Sequence, residues 1–121
     1  MTNSYLSSVI KQFEYYKSLG DKTFDQLTDF DVHWQYNSES NSIAIITKHI
    51  VGNMLSRWTN FLTEDGEKTW RERDQEFEDT YSNKKEMVEA WNSGWDCLFN
   101  AIKPLYEEQL DKTFYYSDIL I

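Results

Sequence analysis

Apolar residues at Leu6, Val9, Ile10, Phe13 and Tyr16, and again at Phe24 and Leu27, keep the three- and four-residue steps of a helix face, not the alternation of a strand. They predict a first helix from about Tyr5 to Leu27, capped by Asn3 or Ser4, with a candidate break at Gly20. A second helix, capped by Asn41 or Ser42, runs to about Leu62 with Ile43, Ile46, Ile50, Met54, Trp58 and Phe61 on one stripe. A third opens at Asn83, with Glu86 close to capping-box spacing, and ends before Pro104. Its face carries Met87, Val88, Trp91, Trp95, Leu98, Phe99 and Ile102.

Between the helices the period is lost. Residues 28–41 gather Asp, Asn and Ser, whose side chains compete for backbone hydrogen bonds, and they read as a connector. Within it Val32, Trp34 and Tyr36 alternate, which predicts an extended stretch packed over the helix ends. Residues 60–67 read as a helix end and turn, with Gly66 free to take a positive φ. The charged residues 70–77 predict a long surface connection pinned by Trp70 and Phe77. After Pro104 too little chain remains for a helix matching the other three, each of about 20 residues, and the two connections exceed the usual ~2–8 residues of a bundle.

Composition narrows the class. A chain of 121 residues with 5 Trp, 8 Tyr and 7 Phe makes one domain, 1–121, with bulky groups for one core. Twelve basic against 21 acidic residues, a net charge of −9, argue against nucleic acid and anionic membranes as partners. Cys97 is the single cysteine and cannot form an internal disulfide; it reads as a small buried apolar residue. No apolar run reaches the ~18 residues of a membrane span and no basic leader precedes one, so the expected setting is cytoplasmic.

Several chemistries lack their residues. Gly20, Gly52, Gly66 and Gly94 stand too far apart for a phosphate-binding loop, no serine sits in a nucleophile elbow, and one Cys with two His cannot build a structural zinc site. A di-iron bundle site wants Glu three residues before a ligand His, but Ile46 precedes His49 and Phe30 precedes His33. The acidic residues Glu64, Asp65, Glu67, Asp74, Glu76, Glu78 and Asp79 lack EF-hand spacing and read as solvated surface.

The candidates that remain lie mainly on the second helix. His49 falls between the azimuths of Ile45 and Ile46 and points partly toward the bundle, either as a hydrogen-bonded imidazole at the core edge or as a metal ligand. Gly52 costs about 1 kcal/mol relative to Ala in a helix, which implies a close contact or space for a ligand. Arg57 can hold a carboxylate or lay its stem along apolar surface. His33, in the connector, caps a backbone group or faces solvent. The cluster of Trp70, Arg71, Arg73, Asp74 and Phe77 predicts an ordered loop with internal ion pairs.

Residues 40–58 (SNSIAIITKHIVGNMLSRW), followed by FLTEDGE at 61–67 and WRERD at 70–74, resemble the DinB-like (YfiT-like) superfamily, closest to a bacterial branch without an established function. LGDKTF at 19–24 and WNSGW at 91–95 fit the same branch, and the likeness extends to about Thr113. The resemblance implies an all-α, up-down-down-up bundle with a long crossover between helices two and three, commonly a homodimer. It also implies a divalent metal (Zn, Ni or Fe) held by three histidines, one on helix two and two spaced four apart on helix four. Characterised relatives include thiol-dependent S-transferases and isomerases, in which a metal lowers the pKa of a small thiol ligand. His49 matches the helix-two ligand; the other two have no counterpart, and the fourth helix is expected to be missing or truncated. The expectation is therefore a DinB-like protein that is not a competent metalloenzyme as this chain. The alternative is an S-transferase-like enzyme whose site is completed by carboxylates or a partner chain. An uncovered apolar groove on three helices predicts a homodimer.

Overall fold

A computed structural model describes residues 4–105 of the chain. Those residues form four α-helices and no strand: α1 (Ser4–Asp25), α2 (Asp29–His33), α3 (Ile43–Trp58) and α4 (Lys84–Ile102). A 3₁₀ turn at Asp74–Phe77 lies in the crossover between α3 and α4. The segment after Pro104 expected to fall short of a fourth long helix lies, from residue 106 on, outside the described residues.

The helix starts follow their caps. Ser42 Oγ accepts from the Ile45 amide at 3.1 Å and Asn83 Oδ1 from the Glu86 amide at 2.8 Å, each satisfying one of the orphan donors of a first turn. Glu86 reaches back to the Ser82 amide at 3.4 Å, one residue short of a true capping box. The connector contains a helix where extended chain was expected. Thr28 Oγ1 accepts from the Asp31 amide and Asp31 returns a carboxylate to the Thr28 amide, a complete capping box that starts α2. Only Val32 of the alternating trio is buried; Trp34 and Tyr36 are exposed.

α3 ends at Trp58, four residues before the expected Leu62. Thr59 closes the last turn onto the Leu55 carbonyl, and Asn60 then takes φ 51°, the left-handed region that Asn tolerates better than other side chains. No described glycine has a positive φ, so Asn60, not Gly66, makes the reversal.

The core joins three helices through aromatic edges. Phe13 of α1 meets Trp58 of α3 and Trp95 of α4 with ring centroids 6.5 and 6.1 Å apart, and Phe24 meets Trp91 at 5.1 Å. Each such buried ring contributes about 1.5–3 kcal/mol of apolar transfer, and the edge-on geometry suits the ring quadrupoles. α4 buries Met87, Trp91, Trp95, Leu98 and Ile102 as its pattern predicts, with Val88 and Phe99 partly covered. In α1, Leu6, Val9, Phe13 and Phe24 are buried, but Tyr16 turns outward.

Two glycines set the helix spacing. A β-carbon at Gly94 would lie 2.7 Å from Met54 Cε and 3.5 Å from Val51 Cα, so α4 approaches the α3 backbone closely there. A β-carbon at Gly20 would lie 3.0 Å from Trp91 Cη2; α1 continues through this glycine unbroken because it is the seat of the indole. Trp91 Nε1 donates to Asp21 Oδ1 at 2.9 Å, which fixes the ring in that seat.

The stripe on α3 is rotated from its expected position. Ala44, Ile45, Thr47, Val51, Met54, Ser56 and Trp58 are buried, whereas Ile46 is exposed and Ile43 and Ile50 are only partly covered. The cause is a second packed face: α3 meets α4 on one side and the crossover on the other.

Candidate functional site

The crossover-facing side of α3 is small and polar, and the charged crossover binds back to it. Lys48 Nζ donates to the carbonyls of Gln75 and Glu78, at 2.8 and 3.3 Å, and to Thr80 Oγ1 at 2.8 Å. One turn or more along, Ser56 Oγ donates to the Gly66 carbonyl at 2.6 Å and accepts from the Lys68 amide at 3.2 Å. These bonds hold the loop at both ends of the helix face. Trp70 and Phe77, the expected pegs, are both exposed, and a buried ion pair takes their place.

That pair is Arg71 and Glu76. Arg71 Nε donates to Glu76 Oε2 at 2.9 Å and Nη2 to Oε1 at 3.1 Å, a fork-on-carboxylate match. Both side chains are buried, with 3% and 7% of their surface exposed, so Glu76 departs from the solvated reading of the acidic residues. The Glu76 carboxylate fills the space beside Gly52, where a β-carbon would stand 2.7 Å from Cδ. The role of this glycine is thus to admit a carboxylate against the helix.

His49 completes the cluster. Its Nδ1 lies 2.9 Å from Glu76 Oε1, its ring stacks on Phe77 at 6.1 Å, and half of its side chain is exposed. It therefore faces the crossover instead of the bundle interior. Burial by itself would raise the Glu76 pKa, but the hydrogen bonds and charge of Arg71, and then those of His49, outweigh it and hold the carboxyl below its ordinary value. An ionised carboxylate only accepts, so His49 Nδ1 carries the proton in this bond. In the neutral ring Nε2 then bears the lone pair, able to take a proton or a metal ion. Burial, with the charges of Glu86 and Glu76, raises the pKa of Tyr81 and keeps its hydroxyl neutral.

The other predicted residues are elsewhere. His33 Nδ1 sits 2.9 and 2.7 Å from the two oxygens of Asp79, which also accepts from Ser42 Oγ at 3.2 Å, so this histidine ties α2 to the crossover and to the start of α3. Asp29 Oδ1 accepts from the Lys84 amide at 2.7 Å, linking α2 to α4. Arg57 lays its stem along Gly66, whose β-carbon would meet Arg57 Cγ at 3.5 Å. Cys97 is partly buried against the core, 3.6 Å from Thr59 Oγ1. Arg73 pairs with Glu67 at 2.5 Å, an internal ion pair of the kind expected. Pattern reasoning missed Glu76 and Asp79, because nothing in their acidic surroundings distinguishes a carboxylate that has a buried partner.

Among the described residues no group of three or more His, Cys, Asp or Glu is placed to hold a metal ion, and no helix is long and apolar enough to cross a membrane. The fold and site thus define an all-helical protein with a histidine–carboxylate–arginine cluster between α3 and its crossover. The chain belongs to the family described as "Protein of unknown function (DUF1572)", whose model matches residues 1–118. No curated protein and no solved structure matches it.

Proposed function

We propose that the chain is a DinB-like helical protein of the bacterial cytoplasm in which His49 keeps the superfamily's helix-two position without forming a metalloenzyme on its own. The observation that carries this reading is an oriented but solitary imidazole. Glu76 fixes Nδ1 at 2.9 Å, and the described residues bring no second histidine near: His33 is engaged with Asp79. One ligand does not fit a three-ligand catalytic centre.

In this reading the protein acts by association, as a homodimer. α1 presents Tyr5, Tyr15, Tyr16 and Leu19 to solvent, and Tyr5, Val9, Phe13 and Tyr16 line a groove of about 320 Å³ on the same helix. Light scattering is expected to give a dimer that Tyr16→Glu shifts toward monomer. A stable monomer at micromolar concentration overturns this part of the proposal.

A second reading is favoured by the Glu76–His49 bond, the carboxylate–histidine arrangement that commonly supports a metal ligand. There, carboxylates or a partner chain complete a divalent site for a thiol transferase. Elemental analysis of untagged full-length protein and of His49→Ala separates the two. The first reading expects well under one metal per chain in both. About one per chain in the wild type, lost in His49→Ala, overturns it in favour of the second.

A further inference from the structure

Among the described residues, one side of α3 is covered by neither α4 nor the crossover. Ile46, His49 and Asn53 share it, at the three- and four-residue steps of a helix face, and Ile46 is 48% exposed there. Phe77, also exposed, borders this side through its stack on the His49 ring. His49 Nδ1 is committed to Glu76, so the unprotonated Nε2 is the ring atom left for chemistry. Asn53 is the second uncommitted group. Its side chain makes no hydrogen bond; Oδ1 is shut away, whereas Nδ2 reaches the surface with two N–H bonds to give.

We propose that His49 and Asn53 form a metal-independent acyl-transfer site for neutral carboxylic esters with a short apolar acyl group. Nε2 attacks the ester carbonyl: the N–C bond forms, the C–O bond to the alcohol breaks, and the departing alkoxide takes a proton from water. Water then adds to the acyl-imidazolium and its C–N bond breaks, which returns the lone pair to Nε2 and releases the acid and one proton. Glu76 is the positioning residue. Its carboxylate, clamped by Arg71, holds Nδ1–H and stabilises the positive charge that the ring gains in the attack. Asn53, an i+4 neighbour with its Cβ about 6 Å from that of His49, donates to the carbonyl oxygen as it becomes an oxyanion. Ile46 and Phe77 flank the ring and give the acyl chain apolar surface. Phosphate esters are disfavoured, because Arg71 and Lys48 are already bound to Glu76 and to crossover oxygens, and the chain carries a net charge of −9. The inference holds for monomer and dimer alike.

The test is hydrolysis of p-nitrophenyl butyrate by the full-length protein, with and without EDTA, in the wild type, His49→Gln and Asn53→Ala. Neither substitution touches the packed sides of α3, and circular dichroism checks that each variant is folded. The expected wild-type rate constant is about tenfold or more above that of free imidazole at the same pH, with or without EDTA. It should fall about tenfold or more in His49→Gln, and Asn53→Ala should lower kcat about tenfold with KM little changed. A wild-type rate no greater than that of imidazole, which any exposed histidine supplies, overturns the proposal. So does a rate unchanged in either variant, equal hydrolysis of p-nitrophenyl phosphate, or activity abolished by EDTA, which would assign the chemistry to a bound metal.

Discussion

The carboxylate of Glu76 occupies the volume that a β-carbon at Gly52 would need, with Cδ 2.7 Å from that position. A glycine inside a helix normally lowers stability, so Gly52→Ala would ordinarily gain about 1 kcal/mol. Here the added methyl displaces a buried carboxylate from Arg71 and His49, and the loss dominates. Gly52→Ala is expected to destabilise by about 1–3 kcal/mol in urea titrations, whereas Gly66→Ala, in ordinary contact with Arg57, should stay within about 0.5 kcal/mol. A neutral or stabilising Gly52→Ala would contradict the close approach.

The same carboxylate sets a pH dependence. Its folded pKa is depressed, burial being outweighed by Arg71 and then His49, so its stabilisation is complete above the unfolded glutamate value of about 4.3. That contribution is lost as pH falls through the lower folded value. Glu76→Gln removes the counter-charge of a buried guanidinium and should cost about 3–5 kcal/mol at neutral pH. The difference between wild type and Glu76→Gln should therefore be flat above about pH 5 and shrink in acid. A difference that does not change with pH would show that the carboxylate titrates alike in both states.

The helices were legible where one face is apolar and the cap is explicit, as at Ser42 and Asn83. The α4 pattern reads correctly because its apolar residues face one way. On α3 the reading drifts, since Thr47 and Ser56 are buried polar residues and Ile46 is an exposed apolar one, which inverts the usual code at three positions. α2 was hidden because its five residues are too short for periodicity, and its one local signal is the Thr28–Asp31 box. His49 and Gly52 could be singled out as residues out of keeping with their helix. Their partner could not, because Glu76 is 27 residues from His49 in the chain and looks like its solvated neighbours.

The glycine contacts on α4 differ in what must yield. At Gly94 the nearest atom is the terminal methyl of Met54, which can swing aside. At Gly20 it is the Trp91 indole, held by Asp21 and packed edge-on against Phe24 and Trp95. Gly20→Ala should therefore cost about 1–3 kcal/mol and exceed Gly94→Ala. Near-ultraviolet circular dichroism should report the disturbed tryptophan only in Gly20→Ala. The reverse order of cost would place the rigid contact on the other glycine.

Asp79 joins three elements through one carboxylate: His33 at the end of α2, Ser42 at the cap of α3, and its own place in the crossover. Asp79→Ala removes the acceptor of both partners, and Ser42 Oγ, already accepting from the Ile45 amide, belongs to a buried residue where bulk solvent replaces a lost acceptor poorly. His33→Ala removes one bond from a ring that is about a third exposed, where solvent compensates more readily. Asp79→Ala should accordingly cost about 1–3 kcal/mol and His33→Ala less than about 1 kcal/mol. In a double-mutant cycle the coupling between them should be about 0.5–1 kcal/mol, smaller than the full Asp79 effect because the Ser42 bond lies outside the cycle. A coupling equal to the whole Asp79→Ala loss would mean that the carboxylate serves His33 alone, and that the start of α3 does not depend on it.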